Sequence, residues 1–123
     1  MSYVVCGATV ITEETFGTVQ KVKFAWTDAA GSADGTTTKS YSGAVERLVT
    51  VPSGTAAPSA DYDVVINDAD GTDILMGAGA DRHTSNTEQV NASSLGIVAN
   101  DQLTLAITNA GGSKEGIVYL YIR

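Results

Sequence analysis

The chain has 123 residues, enough for one domain with its own core and too few for two. An apolar content of 43% against 17% charged residues excludes a disordered tail, and one Cys with one His excludes both a disulfide framework and a Cys/His zinc cage built from this chain alone. The net charge of −7 repels phosphate backbones and anionic lipid, so neither nucleic acid nor a membrane is expected as a direct partner.

Met1 is followed by Ser2-Tyr3-Val4-Val5-Cys6 with no basic segment and only a short apolar run, so no secretory signal is visible and the chain is expected to stay where it is made. No apolar stretch approaches the roughly 20 residues that a membrane-spanning helix needs. Short runs of β-branched and aromatic residues separated by Gly, Asp, Asn and Ser predict an all-β fold, an antiparallel β-sandwich of about eight to nine strands. The predicted strands are Tyr3 to Thr12, Thr18 to Thr27, Thr36 to Tyr41, Ala44 to Val51, Tyr62 to Asn67, Asp73 to Met76, Glu88 to Asn91, Gln102 to Thr108 and Gly116 to Ile122.

The first strand is apolar on both faces, with Tyr3, Val5 and Ile11 on one and Val4, Cys6, Ala8 and Val10 on the other. Cys6, between Val5 and Gly7, reads as a small hydrophobe. In the second strand Val22, Phe24 and Trp26 share the core face, opposite Lys21, Lys23 and Ala25, which puts Trp26 in the interior. Asp28 to Gly35 reads as a long hairpin tip closed by Asp34-Gly35. Pro52 to Ala60 reads as a loop with no packing residues, at the edge of the sandwich.

Tyr62, Val64 and Ile66 alternate with Asp61, Asp63 and Asn67, with Val65 as the exception, and so form a strand with one wet face. The acidic string Asp68-Ala69-Asp70-Gly71-Thr72-Asp73 is the nearest approach to a metal motif, but it lacks the spacing of an EF-hand loop. It reads as a turn whose Asp side chains bond their own backbone, with Gly71 left-handed. Gly77-Ala78-Gly79-Ala80 permits a sharp bend or a close backbone approach, and lacks the third Gly and the helix of a dinucleotide site. His83, between Arg82 and Thr84, has no nominated nucleophile or orienting acid and reads as a loop residue. Leu103, Leu105 and Ile107 form a clear core face. The closing Ile117-Val118-Tyr119-Leu120-Tyr121-Ile122 does not alternate, as in a strand covered on both sides or used at a subunit contact.

No residue set anchors catalysis, a cofactor or a metal, so the chain reads as a binder or a building block. The stretch from Tyr62 to Arg82, continuing through Asn86-Thr87-Glu88-Gln89 to Leu103–Ile107 and Tyr119-Leu120-Tyr121, resembles the capsid decoration, or cement, proteins of tailed bacteriophages. The resemblance implies a sandwich, jelly-roll-like subunit on the outer surface of an icosahedral head. It would be made in the host cytoplasm, form a dimer or trimer, and bind the major capsid protein so as to stabilise the expanded shell. The expected contact surface comprises the two terminal strands and the proline loop, represented by Tyr3, Val5, Pro52, Pro58, Tyr119 and Tyr121. Two alternatives stand beside it: a head- or tail-fibre module binding a glycan or receptor through Trp26, Tyr41 or Arg82, and a head–tail joining or tail component built as a sixfold or twelvefold ring.

Overall fold

Nine antiparallel strands build two packed sheets in the computed structural model, which describes residues 7–123. The strands are β1 (Thr9–Phe16), β2 (Val19–Thr27), β3 (Ala33–Thr36), β4 (Tyr41–Pro52), β5 (Asp63–Asn67), β6 (Glu88–Asn91), β7 (Ile97–Asp101), β8 (Thr104–Thr108) and β9 (Glu115–Ile122). The larger sheet runs β1-β2-β9-β4-β6, with β7 also on β4, and the smaller runs β3-β8-β5.

From β2 onward the strands alternate between the sheets, with β6 and β7 together counting as one turn of the large sheet, which places the last strand beside β2 and gives the jelly-roll order. β6 and β7 lie one after the other along one edge of β4, pairing Thr50 to Arg47 and then Ala44 to Tyr41. A short 3-10 turn at Ala92–Ser94 separates them. Residues 73–82 take the place of a fourth strand in the small sheet. They meet the free edge of β5 only intermittently, through Ile74 N to Ile66 O (2.8 Å), Val64 N to Gly79 O (2.8 Å) and Arg82 N to Tyr62 O (2.7 Å).

The core lies between the sheets and follows the period of two. Val22, Phe24 and Trp26 from β2, Val118, Leu120 and Ile122 from β9, and Leu48 from β4 meet Val64 and Ile66 from β5 and Leu105 and Ile107 from β8, all buried. Trp26 is 1% exposed and packs on Tyr62 with ring centroids 5.7 Å apart. Gly116 makes room for it, since a Cβ there would stand 2.6 Å from the indole. Gly79 is the close approach that the glycine pair allowed: a Cβ would lie 2.1 Å from the Val64 carbonyl oxygen.

Several elements depart from the sequence reading. The Asp34-Gly35 pair does not turn; it lies inside β3, opposite Ala106 and Leu105, and the turn falls at Ala30 and Gly31, both at positive φ. Gly35 serves packing, because a Cβ would stand 2.8 Å from the Thr9 side chain. Residues 37–40 are a turn, and β1 extends to Phe16 before a two-residue Gly17-Thr18 turn. The apolar Asp73 to Met76 run is a plug of turns, with Ile74 and Leu75 buried and Met76 at φ 53°. The loop 52–60 does pack: Pro52 and Pro58 are buried, and its backbone is tied by Ser59 N to Ala110 O (2.9 Å) and Glu115 N to Ala56 O (2.9 Å). Tyr3, Val5 and Cys6 lie outside the described residues.

Candidate interaction face

Three of the aspartates, Asp28, Asp68 and Asp73, are committed to the chain's own backbone in the fold. Asp28 is 4% exposed and accepts the amides of Gly31 (2.8 Å), Gly112 (2.7 Å) and Lys114, clamping two loops together. Asp68 Oδ1 accepts from Asp70 and Thr72 (both 3.0 Å), and Asp73 accepts from Ile66 (3.3 Å), Leu75 (3.0 Å) and Gly77 (3.0 Å), with Gly71 at φ 82°. The acidic string is therefore the self-bonded turn that the sequence suggested. Among the described residues, no three His, Cys, Asp or Glu side chains come together as a metal site.

Glu13, on the inward face of β1, gathers the turn before β4. Its carboxylate accepts the Thr38 amide (3.1 Å) and hydroxyl (2.7 Å), the Lys39 amide (3.1 Å) and the Tyr41 hydroxyl (2.8 Å). Partial burial pushes its pKa up, but the four hydrogen bonds together outweigh that and hold it below the ordinary value. Burial, and then the bond to Glu13 and its negative charge, push the Tyr41 phenol well above its usual range. His83 is similarly occupied: its Nδ1 accepts the amides of Ser85 (3.0 Å) and Asn86 (2.9 Å), while its own amide donates to Glu88 (2.7 Å). Arg82 faces Glu88 at 3.7 Å. Trp26 and Tyr41, on which a glycan platform would rest, are 1% and 3% exposed.

The outer face of the large sheet is different, because no element of the described chain covers it. The strand registers set its outward side chains in rows. One row is apolar: Val10, Ala25, Ile117 and Val51, the wall of a shallow groove of about 380 Å3 rimmed by Ser53 and Glu115. The next holds Thr12, Lys23, Tyr119, Val49 and Gln89, and the third Glu14, Lys21, Tyr121, Arg47 and Asn91. Beyond these lie Phe16, 58% exposed at the hairpin tip, and Ile97, 75% exposed on β7.

At the centre the Tyr119 and Tyr121 rings stack with centroids 6.5 Å apart. Lys21 Nζ lies 5.1 Å from the Tyr119 centroid, and the Arg47 guanidinium 5.5 Å from that of Tyr121. Arg47 also donates to Gln89 Oε1 (2.6 Å). The closing strand resolves its doubly apolar pattern as a central strand with one open side: Val118, Leu120 and Ile122 lie in the core, while Ile117, Tyr119 and Tyr121 stand half-buried on the outer face.

Of the residues nominated from sequence, the structure brings Tyr119 and Tyr121 together there. Pro52 contributes only to the groove wall, and Pro58 is interior, its carbonyl accepting the Thr84 hydroxyl. Lys21, Lys23, Arg47 and Phe16 share this face without having been nominated. The lysine alternation placed two of them on an outer face, but nothing in the sequence showed that β4 would bring Arg47 beside Tyr121. No protein-family model matches the chain, and no curated protein matches it.

Proposed function

We propose that the protein is a structural adhesion subunit, a capsid decoration protein that binds the outside of an expanded phage head and stabilises it. The observation that carries this reading is the open face of the large sheet, where aromatic, aliphatic and cationic side chains are assembled by four strands and covered by no element among the described residues. The jelly-roll sandwich and the resemblance around Tyr62 to Arg82 support the same reading. Adhesion needs no reacting group, which suits side chains such as Asp28, Asp73 and His83 that are spent on holding loops.

Such a subunit works by differential affinity: bound to the expanded lattice in preference to its precursor, it opposes rupture by mass action. Copies joined as a dimer or trimer would engage neighbouring capsomers, making each later contact intramolecular. The experiment is to mix the purified protein with expanded and unexpanded heads of the phage that encodes it and measure uptake by sedimentation. Preferential addition of a discrete oligomer to expanded heads is expected; equal uptake by both removes the mechanism.

A further inference from the structure

We infer that the open face of the large sheet docks an acidic surface of a different protein, with Lys21, Lys23 and Arg47 meeting the partner's carboxylates between two apolar flanks. The inference rests on the adhesion reading and names the chemistry of its partner. In the two middle rows three cations stand against one carboxylate, Glu14, in a chain whose net charge is −7. Two of the three cations are held in place: Lys21 over Tyr119, and Arg47 between Tyr121 and Gln89. Their side-chain entropy is partly lost before a partner arrives, which lowers the cost of pairing them. Val10, Ile117 and Val51 on one side, with Phe16 and Ile97 on the other, supply the apolar contact that gives such a face its area.

Other occupants fit less well. Two copies face to face would bring six cations, Lys21, Lys23 and Arg47 of each, against four carboxylates, Glu14 and the groove-rim Glu115 of each. A second copy docked through an acidic sheet face would use the outer face of the small sheet, where Asp34 and Asp63 stand among Thr36, Val65, Asn67, Thr104 and Ala106 and none of the three strands supplies a cation. That surface is on the opposite side of the sandwich, so the contact would repeat as an open-ended stack. A single-stranded nucleic acid needs free ring faces for its bases, whereas here the tyrosines stack on each other and carry the cations.

The test has two arms. In the first, the isotope-labelled protein is titrated with short poly-L-glutamate and, separately, with a single-stranded oligonucleotide, and amide shifts are mapped by NMR. Poly-L-glutamate is expected to move the amides around Lys21, Lys23 and Arg47, with the response lost at high salt and in K21E/K23E/R47E. An equal or stronger response to the oligonucleotide, or shifts confined elsewhere, overturns the inference. In the second arm uptake by expanded heads is expected to fall at least tenfold in K21E/K23E/R47E, with the circular dichroism spectrum retained, and to be unchanged in D34K. Heads that bind the reversed variant normally overturn the inference and leave the adhesion reading standing. Heads that bind neither protein, with the glutamate response intact, overturn the shell as partner and leave the acidic docking face. Self-association abolished by the triple reversal makes the occupant a second copy and also overturns the inference.

Discussion

The two outer faces of the sandwich are built by the same alternation yet end up unlike each other. On the small sheet, Asp34, Thr36, Thr104, Ala106, Thr108 and Asp63 are short side chains, and the Thr36 and Thr104 hydroxyls bond each other at 3.0 Å. Val65 and Asn67 of β5 share this face, and none of its three strands contributes an aromatic or cationic side chain. On the large sheet the same period of two sets Tyr119, Tyr121, Lys21, Arg47, Ile117 and Val10 on the outer face, Val10 and Arg47 exposed and the others half-buried. A face that only needs to be wet is satisfied by threonine and aspartate. Large aromatic and aliphatic groups left in water cost solvation, so the large-sheet face is the one with a reason to be covered.

The comparison extends to energetics. Interior and loop-clamping residues hold the fold, whereas the face residues can change with little effect on it, and substitutions separate the two. Trp26→Ala should cost the most, about 3–5 kcal/mol, because the indole is fully buried against Tyr62 and Gly116; urea unfolding would read it. Gly79→Ala should follow at about 3 kcal/mol, since its methyl must displace the Val64 carbonyl; a loss of a few tenths would mean that the 73–82 segment does not lie on β5. Asp28→Ala strands three amides in a buried site and is expected to cost on the order of 2–3 kcal/mol.

Glu13 gives a smaller effect that depends on pH. Its pKa is lowered in the fold, so its stabilising contribution is complete above the unfolded value, near 4.5, and is lost as pH falls through the folded value. Wild type minus Glu13→Gln, compared in denaturant midpoint, should therefore shrink below pH 4.5 and level off above it. A difference independent of pH would show that the turn at 37–40 is not held by the charge. Least affected should be Tyr121→Ser and Lys21→Ala, within roughly 1 kcal/mol, since exposed pairs contribute little to folding; a larger loss would make this face part of the fold's stability.

Where a strand has one wet face, the sequence was a sufficient guide. Tyr62, Val64 and Ile66, and Leu103, Leu105 and Ile107, are buried as their alternation required. It misled where tertiary contact overrode local preference. β3 is made of Ala33-Asp34-Gly35-Thr36, three of them depleted in strands, and it packs where Gly35 lets Thr9 and Ile11 approach. β7 has its own alternation fault, with Asn100 at φ 55°, and pairs β4 across a register shift. The candidate face was half legible. Tyr119 and Tyr121 stood out because a doubly apolar strand is unusual, whereas their cations come from β2 and β4, which only the strand order brings beside β9.

Cryo-electron microscopy of heads decorated with the purified protein addresses the central claim most directly. The account predicts added density in which the sandwich presents β2, β9 and β4 to the shell, with Tyr119, Tyr121, Lys21 and Arg47 at the contact. Density with the small sheet against the shell and that face in solvent, or heads without added density, would contradict it.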